Sequence, residues 1–199
     1  MATRYGIHTK RAFGVSMADM KALARRLERH HGFAGALWET GWYEARVVAS
    51  MVDEPALVTP EQMDRWCRDF DSWAICDTVC FNLFDRSPHA WPKVEQWSGH
   101  PDEFVKRGAF ALLWSLALHD KKADDHQFVE GLELIERQSI DDRPLVRKSL
   151  CMALRAIAAR NPRLNAAALE TARRLSESPS PAARWVGKTS TRRKRQLGS

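Results

Sequence analysis

The 199-residue sequence predicts an all-α fold, and three observations carry that prediction. Apolar residues recur at helical spacing through most of the chain. No stretch sustains the alternation of apolar and polar residues, closed by Asn-Gly-type turns, that strands and hairpins need. Helix-start residues of the Ser, Thr, Asp and Pro kinds return at short intervals, which divides the chain into roughly nine or ten helices joined by short loops.

Residues 1–15 carry no helical pattern and read as a flexible segment. Ser16 opens the first helix, with Asp19 three residues on, Met20, Leu23, Ala24 and Leu27 on one face, and Lys21, Arg25 and Arg26 on the other. After a break at His30, His31 and Gly32 come a helix over Phe33 to Glu39 and another over Trp42 to Val52. Thr59 as N-cap, Pro60 at N1 and Gln62 at N3 start the next, which carries Met63 and Trp66.

The stretch Arg68 to Phe81, RDFDSWAICDTVCF, is the centre of the chain. Phe70, Trp73, Ile75, Cys76, Val79 and Cys80 fit a helix with one wide buried face, and Asp71 or Ser72 can cap it. Trp73 and Asp77 stand one turn apart, so an indole and a carboxylate share a stripe. Such a pair suits a cationic ligand, because the ring face attracts positive charge and the acid neutralises or orients what lies beside it. The competing reading makes Trp73 a core residue and Asp77 a solvated group.

DRSPHAWP, residues 85–92, is a loop, and Pro92 starts a short helix after it. Asp102 caps a long helix from Glu103 to His119, Asp124 or Asp125 opens another, Pro144 stands at N1 of the next, and Asn165 caps a last amphipathic helix that ends near Leu175. Three segments repeat weakly: YEARVVA, FVKRGAF and LVRKSLC each place a base three residues after a large apolar or aromatic one, at Arg46, Arg107 and Lys148. The last two are 41 residues apart, within the roughly 40 to 47 of HEAT-type helical hairpins. Stacked hairpins curve, and their second helices line a concave face along which these three cations would project. Taken singly, each reads more readily as a helix-flank cation that covers apolar neighbours with its stem; it is the three in register that point to a shared surface.

Composition narrows the class. No apolar run approaches the roughly 18 residues of a membrane span, and the N-terminus lacks the apolar core of a secretory signal, so a soluble cytoplasmic protein is expected. Cys67, Cys76, Cys80 and Cys151 follow neither a disulfide framework nor zinc-ligand spacing, and no metal or other cofactor is expected. The formal charge of +6 is concentrated at one end: six bases and no acid lie between Arg184 and Arg195, which leaves 25 basic against 25 acidic residues elsewhere. A nucleic-acid surface on the body would therefore require charge segregated onto one face.

The stretches GVSMADMKALARRL, LWETGWYEARVVASMVDEPALVTPEQMDRWCRDFDSWAICD, EFVKRGAFALLWSLALHDK, LVRKSLCMALRAIAARNPRLN and AARWV together resemble the AlkD-like DNA alkylation repair family, over most of residues 14–186. The resemblance implies a right-handed α-solenoid of HEAT-like hairpins over 16–186, followed by a basic tail at 187–199. It also implies a monomer that holds duplex DNA carrying alkylated bases in a concave basic groove and works in association with the bacterial nucleoid. Active members release N3- or N7-alkylated purines as DNA N-glycosylases without a deep base-flipping pocket. Carried over, the catalytic residues are Asp77, Trp73 and Arg107: Asp77 to stabilise charge on the sugar, Trp73 to pack against it, and Arg107 to hold a phosphate. Arg46, Lys106, Arg147, Lys148 and Arg155 are the implied DNA-binding cations. Two positions depart from the pattern. Met152, after Cys151, stands where relatives place a lesion-contacting Trp, and Ala74 replaces an acid. Two alternatives stay open: a weak or inactive member that binds DNA in the same groove, and a helical-repeat scaffold for protein partners.

Overall fold

The computed structural model describes residues 11–191. These form eleven α-helices, α1 (Met17–Arg26), α2 (His31–Glu39), α3 (Tyr43–Val52), α4 (Pro60–Arg68), α5 (Trp73–Asn82), α6 (Ala90–Ser98), α7 (Glu103–His119), α8 (Asp125–Gln138), α9 (Pro144–Ala158), α10 (Pro162–Glu177) and α11 (Pro181–Thr191), with short 3₁₀ turns at Pro55–Leu57 and Phe84–Arg86 and no strand. Residues 1–10 and 192–199 lie outside the described residues, and with them most of the segment expected at 1–15 and of the basic tail.

Most helix starts follow their local chemistry. The Ser16, Thr59 and Ser72 hydroxyls each accept the backbone N–H three residues on, and the Asp102 carboxylate accepts two, from Phe104 and Val105. Each side chain supplies an acceptor to donors that a helix start leaves unpaired. Four expectations need correction. The helix expected from Phe33 begins at His31, because the His30 side chain caps it by accepting the Phe33 N–H. The helix expected from Pro92 begins at Ala90, because the turn through Ser87 already sets the chain on its helical course. Asn161, not Asn165, caps α10: its side chain accepts from Leu164 N–H and Pro162 follows at N1, while Asn165 sits inside the helix. Nor is α10 the last helix, since α11 continues from Pro181 through Lys188, across the boundary drawn at 186.

The odd-numbered helices form an inner row, α1 against α3, α3 against α5, α5 against α7, α7 against α9 and α9 against α11, while α2, α6 and α10 back it from outside. This is the arrangement of stacked HEAT-like hairpins, in which each unit buries its apolar face only against its neighbours. An aromatic cluster anchors the first half of the core. Trp38 and Trp66 stack with ring centroids 3.9 Å apart and planes 3° from parallel, Phe70 and Phe84 close around them, and the Trp38 indole N–H donates to Asp69 at 2.8 Å. Residues 11–15 are irregular yet attached. The buried Glu44 carboxylate accepts the backbone N–H groups of Phe13, Gly14 and Val15 at 3.0, 2.7 and 3.3 Å, and Phe13 stacks on Trp42.

Candidate active site

Helices α5, α7, α9 and α11 together wall an open groove of about 380 Å³ on the inner row. From α5 come Trp73 and Asp77, from α7 Arg107 and Trp114, from α9 Leu145, Lys148, Cys151, Met152 and Arg155, and from α11 Trp185 and Thr189. The indole and carboxylate that sequence spacing placed on one stripe therefore both reach this groove. Neither is sealed among aliphatic side chains, since both remain partly exposed.

Asp77 and Arg107 form a two-pronged ion pair. Arg107 donates from Nε to Oδ1 at 3.1 Å and from Nη2 to Oδ1 and Oδ2 at 2.8 and 2.7 Å, and its Nη1 donates to the Leu145 carbonyl at 2.7 Å. The side chains are 6% exposed for Arg107 and 17% for Asp77, so the carboxylate is the member that opens toward solvent. Burial pushes the Asp77 carboxyl above its ordinary value, and the charge and hydrogen bonds of Arg107 pull it back down. The result is an acid whose orientation is set by a rigid guanidinium fork.

That pairing occupies much of the Arg107 guanidinium. Asp77 takes the Nε–Nη2 edge of the guanidinium, and the Leu145 carbonyl takes an Nη1 donor. The Nε–Nη2 edge, one of those that can grip a phosphate in two prongs, is turned to Asp77 and fixes the orientation of that carboxylate.

The other expected cations divide. Lys148 and Arg155 share the groove with Asp77. Lys148 is exposed and has no ion-pair partner among the described residues. Arg155 is occupied, donating to the carbonyls of Thr189 and Ser190 at the end of α11. Arg46, Lys106 and Arg147 do not line the groove. Arg46 donates to the carbonyls of Trp38 and Asp69 and lies over the Trp38 ring, Lys106 bonds Asp141 at 3.0 Å and Gln138 at 3.1 Å, and Arg147 lies over Trp185. Arg46, Arg107 and Lys148 are all on inner helices, but only the last two converge on the groove.

Sequence reasoning missed Trp114 and Trp185. Trp114 meets Phe81 edge-on, with ring centroids 4.5 Å apart. Neither position carries a local signal of its own, because both depend on how neighbouring repeats dock. Among the described residues no group of three or more His, Cys, Asp or Glu could hold a metal ion, the four cysteines are free and buried, and no helix is long and apolar enough to cross a membrane.

A family model described as DNA alkylation repair enzyme matches residues 1–189. A solved structure reported as "a new family of proteins related to the HEAT-like repeat DNA glycosylases with affinity for branched DNA structures" superposes with a TM-score of 0.75 at 21% identity, covering 86% of this chain and 73% of that one, and shares its fold. The comparison with curated proteins gave no match.

Proposed function

The chain belongs to the DNA alkylation repair enzyme family, and on that premise we propose that its groove releases cationic N3- or N7-alkylated purines from duplex DNA by hydrolysis of the N-glycosidic bond. One observation carries this reading: a carboxylate held by a buried guanidinium fork, one turn from an indole, on the wall of an open groove. The chemistry needs little more. An N7-alkylated guanine already bears positive charge, so when the C1′–N9 bond breaks its electron pair neutralises the ring and the base leaves uncharged. Positive charge develops instead on the sugar, where Asp77 as carboxylate would stabilise it and orient the water whose oxygen bonds C1′, the water's proton passing to Asp77 or to solvent. Trp73 would pack against the deoxyribose and the cationic base, Arg107 would act through Asp77, and Lys148 would take a phosphate as a point charge.

A second reading, DNA binding without base release, draws on Met152, which lines the groove without a π face, and on the affinity for branched DNA reported for the structural relative. Release of 7-methylguanine from methylated duplex DNA separates the two. We expect wild-type protein to release the base and Asp77→Asn to lose about 10²–10³ of that rate, the magnitude usual for removing one preorganised charge from a transition state. Wild type and Asp77→Asn giving equal yields would leave only the binding reading.

A further inference from the structure

The groove contains more indole than the catalytic assignment uses. Beside Trp73 it has Trp114 from α7 and Trp185 from α11, and Trp185 faces the same space as Met152, the position where the family pattern places a lesion-contacting Trp. Methionine keeps bulk and polarisability there but cannot offer the face of a ring to a planar cation.

The placement of Trp185 is over-determined for a residue near the end of the chain. Arg147 lies over one side of its ring, 4.8 Å from the centroid, and is not itself a groove wall. Helix α11 is tied to α9 by Arg155 on the carbonyls of Thr189 and Ser190 and by the Cys151 thiol donating to the Val186 carbonyl at 3.7 Å. It is tied to α10 by near contact of backbones at Gly187, where an added Cβ would lie 2.6 Å from Ala172 O and Ser176 N. These restraints fall within about a turn and a half of Trp185. Even so, the residue keeps 37% of its surface exposed, so the ring is anchored without being covered. A partly open, anchored indole lining the same groove as a carboxylate is an arrangement that can capture flat organic cations.

We propose that Trp185 is the second aromatic wall for the cationic base, supplied by the next helical repeat in place of the indole absent at position 152. This assignment rests on the glycosylase reading for the identity of the ligand, and the test separates the two. Two duplexes of one sequence are compared by fluorescence anisotropy. One carries 2′-fluoro-7-methyl-2′-deoxyguanosine, whose fluorine slows base loss by destabilising positive charge on the sugar, and the other carries 2′-fluoro-2′-deoxyguanosine. Wild-type protein should prefer the methylated duplex. In Trp185→Ala the preference should fall by a factor of about 3 to 30 while affinity for the unmethylated duplex stays within about twofold, and Trp185→Phe should lie between. The proposal is overturned by a wild type with no preference, by Trp185→Ala with the wild-type preference, or by equal loss on both duplexes, which marks a structural role. If Trp185→Ala does not fold, Trp185→Phe decides, and an unchanged preference there overturns the proposal. Loss of preference in a protein that releases no base would uphold Trp185 and retire the glycosylase reading.

Discussion

Two neighbouring residues of α7 show how one helix serves two purposes. Lys106 and Arg107 are adjacent, both buried, and each is paired with an aspartate from another element, yet the two aspartates are shifted in opposite directions. Hydrogen bonds from Arg143 hold Asp141 well below the usual carboxylate range, with burial opposing and Lys106 adding to the effect. At Asp77 burial is the largest influence and the carboxyl is raised, despite Arg107. Asp141 has two cationic partners and sits 9% exposed between α8 and α9, where it ties the connection together. Asp77 has one partner and an open side. Both acids belong to buried ion pairs, but only Asp77 has a carboxylate edge facing space that a ligand can enter. Satisfaction therefore separates the structural pair from the candidate catalytic one better than burial does.

Breaking each pair sharpens the contrast. Removing the cation from the groove pair should have the largest effect. Arg107→Met leaves Asp77 buried without its counter-charge, so its pKa rises further. If release of 7-methylguanine needs the ionised carboxylate, the rate falls as pH drops through that pKa, and the acid limb of the pH–rate profile should move to higher pH in the variant. We expect a loss of at least about tenfold at pH 7, partly recovered in alkaline buffer. An unshifted limb would separate Asp77 from the rate.

The structural pair should answer in stability instead. Asp141→Asn removes charge-assisted hydrogen bonds to Lys106 and Arg143 and should cost about 1–3 kcal/mol in urea unfolding at pH 7. Because the folded-state pKa of Asp141 is depressed, its contribution is present above the unfolded value of about 3.9 and is lost as pH falls toward the folded one. The gap between wild type and variant should therefore narrow below pH 4. Release of 7-methylguanine by this variant should be unchanged at temperatures where it is folded.

The smallest effect is expected at the rim. Lys148→Gln should reduce the slope of log affinity against log salt by about one, with little dependence on sequence or lesion. A slope equal to wild type would remove Lys148 from the phosphate contacts.

Much of this architecture is legible in the sequence where local chemistry decides it. Ser16, Thr59 with Pro60, and Asp102 mark helix starts that the structure reproduces, because capping is a transaction among four neighbouring residues. Trp73 and Asp77 are legible as a pair because both lie on one helix. What escapes is whatever depends on docking. Adjacent residues of a helix point about 100° apart, so spacing alone does not tell that Arg107 faces the groove and Lys106 the α8–α9 connection. Arg46 looks equivalent to Arg107 in the repeat, but the end of α4 places the Asp69 carbonyl within its reach, and it is used there. Helix α11 is split by the sequence reading, which ends the domain at 186 and begins the basic tail at 187; only packing against α9 and α10 shows one helix across that boundary.

The clasp between Glu44 and residues 13–15 bears on where the molecule tolerates trimming. A polypeptide that began at Ser16 would retain every described helix but lose the three backbone donors that hold the Glu44 carboxylate and the Phe13 ring that stacks on Trp42. Residues 11–15 thus belong with the start of α3, and a helix-only view of the domain would cut them away.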